Sequence, residues 1–221
     1  MFKKFINPYY HTSASDTVEL LSIHVPRSGT STFKKLLQKL YGKSSIMYAY
    51  DETKLQAIRE GKELALNTRV LHGPFSASQE LKNQFPDAKL ITWLRDPVQR
   101  AISHYYYWKD IPPHGNPDHD LFLTKTYTIE AFVEEFSIHL QVMSLFQSFE
   151  VSDFDFIGIA ENYTSEIIEL AQLMEWKSYP NYRLYLNKNK TIDHTTEMRL
   201  KELLKDEIAI YEQAKRIRNL C

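Results

Sequence analysis

The sequence predicts an α/β fold: a single-domain, three-layer sandwich with a mainly parallel central sheet, spanning 1–221. Three observations lead there. Short apolar, β-branched runs alternate along the chain with stretches of helical spacing, the pattern of strands joined by crossover helices. A chain of 221 residues that is 43% apolar has enough material for one substantial core. No internal repeat, low-complexity tract or linker divides it.

The elements follow in order. "VELLSIHV" (18–25) is a buried strand. It leads at once into "TSTFKKLLQKLYG", where Phe33, Leu36, Leu37, Leu40 and Tyr41 share one helical face and Gly42 supplies the stop. "SSIMYAY" reads as a second strand, "DETKLQAIREG" as an acid-capped helix ending at Gly61, and "TRVLHG" as a short third strand. "SASQELKNQF" is a short helix before "AKLITWL", the clearest buried strand, which stops at Arg95. "DPVQRAISHYYYW" resumes as a helix with Pro97 in its first turn, where a missing N–H costs nothing. "KDIPPHGNPDHD" is expected to be an irregular surface loop and a candidate lid. Two helical segments then lie within "TIEAFVEEFSIHLQVMSLFQSF", followed by the strand "FDFIGIA" and the amphipathic "SEIIELAQLMEW". The nucleotide-binding core is placed at about 18–175, and one charged helix closes the chain over about 195–218.

Charge and cysteine usage narrow the partners. With 27 basic against 28 acidic residues the formal net charge is -1, so no global field draws the chain to nucleic acid or anionic lipid. Any polyanion must be met by a local cluster. Cys221 is the only cysteine, which excludes an intrachain disulfide and a cysteine-based metal site. No apolar stretch approaches the roughly 20 residues that cross a bilayer, and "MFKKFINPYY" lacks a secretory hydrophobic segment. The expectation is a soluble, cytoplasmic protein.

The segment "HVPRSGTSTF" (24–33) sits at the carboxyl end of the first strand, where open α/β sheets bind ligands. A turn through Pro26 and Gly29 aims backbone N–H groups inward, and the helix start adds partial positive charge. Ser28, Thr30, Ser31 and Thr32 bring hydroxyls, and Arg27 a fork-shaped cation, so phosphate or sulfate suits the loop. Helix capping alone would account for two of the four hydroxyls. No glycine-lysine-hydroxyl sequence completes a Walker A loop, which disfavours an ordinary P-loop kinase.

Arg95 and Ser103 form a second cluster, one at a strand end and one two turns into the next helix, both able to face the same crevice. They are candidates to grip a second phosphate, whereas Arg100 points elsewhere. The bland alternative makes Arg95 an ion-pair partner of Asp96 or Glu80.

The two segments resemble the sulfotransferases that use 3'-phosphoadenosine 5'-phosphosulfate (PAPS). In that superfamily the first strand ends in P-[KR]-[ST]-G-[GT]-[ST], matched by "PRSGTST", and a later one in R-[DN]-P with a serine eight residues after the arginine, matched by "LRDPVQRAIS". "HVPRSGTS", "LHGPF" and "FDFIGIAENY" are similar to the branch of the heparan sulfate 2-O- and 6-O-sulfotransferases and their bacterial relatives, over roughly 22–173. Arg27 stands where that branch usually has lysine, and Pro74 where many relatives have a second histidine.

The resemblance implies a P-loop NTPase-like sulfotransferase fold. It also implies PAPS as donor, 3'-phosphoadenosine 5'-phosphate (PAP) as product, no metal, and a hydroxyl acceptor that is a glycan or small metabolite. Arg27, Ser28, Gly29, Thr30, Ser31 and Thr32 would hold the 5'-phosphosulfate, and Arg95 and Ser103 the 3'-phosphate. Arg27 would also neutralise the leaving group. His72, at a strand end on the same edge, is the expected base, being mostly neutral at pH 7. Its alternative is a histidine satisfied by backbone.

Weaker candidates remain. Glu161 orients the acceptor or His72, or else caps the helix starting near Asn162. Asn187, Lys188 and Lys190 in "NKNKT" close over the 3'-phosphate as in some relatives, or form a solvated turn. His114, Asp118, His119 and Asp120 lack regular metal-ligand spacing, and "HYYYW" divides between core and a stacking surface for a sugar. The rival functions are a nucleotide-dependent phosphoryl transferase with an atypical anion loop, which would prefer ATP and need magnesium, and a non-catalytic nucleotide sensor.

Overall fold

The computed structural model describes residues 18–50, 56, 60, 67–147, 149–180 and 191–219. Five strands make the sheet: β1 (Leu20–Ile23), β2 (Ile46–Tyr48), β3 (Val70–Gly73), β4 (Lys89–Leu94) and β5 (Phe156–Ile159). Their order is β2-β3-β1-β4-β5 and every pairing is parallel. Such pairings require crossovers. These include α1 (Thr30–Tyr41), α2 (Gln79–Gln84) and, after β4, α3 (Pro97–Asp110). β1 lies at the centre with chain reversing to either side of it, the topology that opens a crevice at the carboxyl ends of the strands.

Strand alternation sorts the core into layers. Leu20, Ile91 and Trp93 face one side, against Phe33, Leu36, Leu37 and Leu40 of α1 and Ile167 and Leu170 of α7 (Tyr163–Leu173). Leu21, Ile23, Leu90 and Leu94 face the other. They meet Leu81 of α2, Phe146 of α6 (Met143–Phe146), and Tyr211 and Ala214 of α9 (Lys205–Ile217). The remaining helices are α4 (Pro117–Thr124), α5 (Ile129–Glu135) and α8 (His194–Leu203). A third cluster gathers Ala101, Tyr105 and Trp108 of α3 with Phe122, Phe132 and Leu200 from these three helices.

Three expectations need revision. The loop "KDIPPHGNPDHD" is irregular only in its middle, because Asn116 accepts hydrogen bonds from the backbone N–H groups of Asp118 and His119 and starts α4 with Pro117 at its first position. The closing helix is two helices that break at Leu204, since its halves serve different cores: Leu200 and Leu204 pack with α3 and α5, Tyr211 and Ala214 under the sheet. The stretch from Ile129 to Phe146 contains α5, a 3-10 turn and one turn of α6. The expected helix in "DETKLQAIREG" lies almost wholly outside the described residues, as does the "NKNKT" loop with Asn187, Lys188 and Lys190.

Candidate active site

At the carboxyl edge of the sheet a cavity of about 840 Å³ is lined by the β1–α1 loop, the end of β4 and the face of α3. Its loop begins as β1 ends, with the His24 N–H donating to the Gly73 carbonyl at 2.7 Å. Arg27 and Gly29 both hold positive φ, 67° and 80°. Glycine suits that region and arginine seldom enters it, so the turn stores strain at Arg27. The turn carries Arg27 into the cavity and Ser28 inward, where Ser28 is fully buried and its hydroxyl has no hydrogen-bond partner among the described residues. Arg27, Gly29, Thr30, Ser31 and Thr32 line the cavity; Ser28 does not.

Among the described residues no side chain caps α1. By contrast Ser78, Asp96, Asn116, Thr128 and Asp193 cap α2, α3, α4, α5 and α8 with their side chains. The hydroxyls of the loop are therefore not consumed in capping, and the N–H groups of Thr30 and Ser31 remain for an anion, while those of Thr32 and Phe33 donate to the Gly29 carbonyl.

Arg95 and Ser103 line the same cavity. Arg27 Nε donates to Ser103 Oγ at 3.1 Å, and Arg95 NH1 to the Arg27 carbonyl at 3.4 Å. Arg95 is 7% exposed, and its Nε is buried with no hydrogen-bond partner among the described residues. Burial pulls both guanidinium pKa values below the ordinary arginine value. Like charge from Arg95 adds to this at Arg27, while Glu161 and Asp96 oppose it at Arg95. Arg100 turns away into an ion pair with Glu207 at 3.1 Å.

His72 is brought close but not to the surface. It is fully buried, sharing a 2.9 Å hydrogen bond between its Nδ1 and Ser22 Oγ, while Nε2 has no partner among the described residues. Burial, then the neighbouring His24 and Lys34, hold its pKa down at about 3. What faces the cavity is His24, whose ring stacks on His72 at 5.5 Å and 18°. Tyr50, Pro74, Tyr107, His114 and Asn116 complete the wall, with Tyr107 beneath the Arg27 guanidinium at 4.5 Å. Of the run "HYYYW", Tyr105 and Trp108 are core and Tyr107 is exposed to the cavity.

Glu161 takes neither expected role. It accepts from the Asp96 N–H and the Tyr211 hydroxyl, both at 3.0 Å, so it braces the β4–α3 junction against α9. His119 is buried on the Trp108 carbonyl and Asp118 pairs with His139. No group of three or more His, Cys, Asp or Glu suited to a metal occurs among the described residues.

A sequence profile described as the sulfotransferase family matches residues 10–218. The chain belongs to the sulfotransferase family. A sulfotransferase from Alicyclobacillus acidocaldarius is similar in structure, with TM-score 0.53 and 13% identity over 92% of this chain and 96% of that one. Mouse sulfotransferase SULT7A1 complexed with PAP gives TM-score 0.46 and 18% identity, covering 86% of this sulfotransferase and 63% of the mouse chain. A retinol dehydratase in complex with retinol and PAP gives 0.42 and 13%, over 92% and 82%. No curated protein matches. The likeness to the Alicyclobacillus acidocaldarius structure speaks to the fold alone; in this sulfotransferase the chemistry must be read from its own cavity. None of its described helices is long and apolar enough to cross a membrane.

Proposed function

We propose that this sulfotransferase moves the sulfuryl group of PAPS to the hydroxyl of a carbohydrate or small metabolite, inside the cell. The observation that carries the donor assignment is the joining of two cationic clusters in one cavity: Arg27 at the uncapped start of α1 and Arg95 with Ser103 at the end of β4. One anionic group suits each cluster, and PAPS carries two separated ones. The buried, unpartnered Nε of Arg95 fits a phosphate oxygen, and the open α1 start with Thr30, Ser31 and Thr32 fits another.

The roles follow from charge. Arg95 and Ser103 hold the 3'-phosphate, while the loop and Arg27 hold the 5'-phosphosulfate. Arg27 is aligned to stabilise negative charge as the bond to sulfur breaks, and it does so from a part-buried site where charge acts more strongly than in water. Proton acceptance falls to the neutral imidazole pair at the strand ends, with His72 the residue that motif position favours. Tyr107 and Tyr50 offer faces for a sugar ring. The heparan sulfate branch and the carbohydrate acceptor rest on "HVPRSGTS", "LHGPF" and "FDFIGIAENY".

Calorimetric titration with PAP, ATP and ADP tests the reading. PAP is expected to bind at least tenfold tighter than either rival, without magnesium. Preference for ATP with a magnesium requirement would establish the phosphoryl-transfer alternative instead.

A further inference from the structure

The cavity contains a histidine that motif position passes over. We propose that His24, held by Tyr50, is the residue that meets the acceptor hydroxyl and takes its proton, with His72 as the floor beneath it. This inference rests on the sulfuryl-transfer reading above and names the proton acceptor within it.

Strand geometry places the ring. Ser22 is the register partner of His72, and alternation returns His24 to the same face one step further along β1, nearer the ligand edge. Ladder hydrogen bonds from the His24 N–H to the Gly73 carbonyl and from the Ala49 N–H to the His72 carbonyl bring His24 and Tyr50 together across β3. The rings meet edge to face at 5.6 Å, and His24 Nδ1 lies 2.9 Å from the Tyr50 hydroxyl. Both residues line the cavity that contains Arg27, Thr30 and Ser31.

That contact divides the two ring nitrogens. When Nδ1–H donates to the Tyr50 oxygen, Nε2 keeps a lone pair, and it has no hydrogen-bond partner among the described residues. His72 has no comparable access: its ring is covered by His24, Phe33, Tyr48 and Tyr50, and a hydroxyl would have to displace His24 to reach it. The surroundings of His24 keep it unprotonated. Burial and then Lys34 lower its pKa to about 4, Lys34 itself lying over the rings of Tyr48 and Tyr50 at 4.3 and 5.3 Å.

The step balances. The acceptor oxygen bonds to sulfur and its O–H bond breaks, the proton passing to His24 Nε2. The bond between sulfur and the donor's phosphate oxygen breaks with its electron pair on that oxygen, beside Arg27. The imidazolium then releases the proton to water.

The test uses the full chain with PAPS labelled in its sulfuryl group, a panel of methyl glycosides, glycerol and p-nitrophenol as acceptors, and water as the acceptor always present. His24→Ala is expected to lose about 100-fold or more in labelled product, the scale of general-base loss, with PAP affinity within twofold of the parent. Added imidazole should restore part of the rate, because the vacated space opens to the cavity. His24→Asn, which keeps an amide toward Tyr50, should be as slow and rescues the test if the alanine variant misfolds. Product formation by both variants within threefold of the parent overturns the His24 assignment and leaves sulfuryl transfer standing. A parent chain that neither binds PAP nor releases labelled sulfate from PAPS overturns the functional reading itself, and with it this proposal.

Discussion

Arg95 donates from NH1 to the backbone carbonyl of Arg27 at 3.4 Å, so two cationic residues 68 positions apart share one wall of the cavity. Because the bond goes to the carbonyl, it fixes the strained backbone of the β1–α1 loop as well as the spacing of two guanidinium groups. Among the described residues neither cation forms a carboxylate ion pair, although the charges of Glu161 and Asp96 act on Arg95. Their field is left for a ligand.

Removing Arg95 should therefore cost donor affinity twice, through the phosphate contact and through a looser Arg27. Arg95→Ala is expected to weaken PAP binding about 10- to 100-fold, in line with roughly 1.5–3 kcal/mol for a hydrogen bond to a charged group. Arg27→Ala should bind PAP but form no product. Calorimetry and product formation separate the two, and full turnover by Arg27→Ala would remove that residue from the chemistry.

Gly73 sits where β3 passes closest to the chain that carries Tyr50. A Cβ there would lie 2.1 Å from the Ala49 carbonyl oxygen, a backbone atom that must move. Gly73→Ala should destabilise the fold by about 1–3 kcal/mol, the usual cost of overpacking. It should also displace Tyr50 from His24, lowering kcat more than PAP affinity. A variant with parental stability would show that the 48–50 segment yields freely.

What could be read from the sequence was local. "HVPRSGTST" and "LRDPVQRAIS" each carry their strand end, turn and helix start within ten residues, so the sequence alone is enough to bring Arg27, Gly29, Thr30, Arg95 and Ser103 to the strand-end crevice where the cavity lies. His24 belonged to the first of these segments, but its role depends on Tyr50, 26 positions later, and on the pairing of β1 with β3. The strand signal itself, alternation on one face, is what could have set Ser22 and His24 beside His72. Ser28, in the same loop, is buried next to the left-handed Arg27 and does not line the cavity, a placement the local motif does not announce. The brace formed by Glu161 requires Tyr211, 50 positions away, and no local motif announces it.

Buried neutral histidines give the stability a definite pH dependence. His72 and His104 are both held at about 3, chiefly by burial, against an ordinary value of 6.5. Between about pH 3 and 6.5 the unfolded chain binds protons that the folded chain refuses, so stability rises with pH there and levels off above 6.5. Each histidine contributes a slope of up to about 1.4 kcal/mol per pH unit within that window. Urea titrations from pH 4 to 8 should show the rise, and His104→Asn should remove the share of His104 while leaving that of His72 and His24. An unchanged slope in that variant would mean His104 is protonated in the fold.

Arg100 and Glu207 tie α3 to α9 behind the cavity. The guanidinium donates to the Leu140 carbonyl and to Glu207 at 3.1 Å, while the Glu207 carboxylate accepts from the Val142 N–H at 3.0 Å. Burial raises the carboxyl pKa and Arg100 pulls it back, so each charge depends on the other. Breaking such a pair from one side leaves a buried charge without its partner, at a cost of about 3–5 kcal/mol. Glu207→Ala should show that loss in urea unfolding. The paired replacement Arg100→Met with Glu207→Leu should lose far less, since desolvation of both ions is removed together. Equal losses would mean that the Leu140 and Val142 backbone bonds, rather than the ion pair, hold α3 against α9.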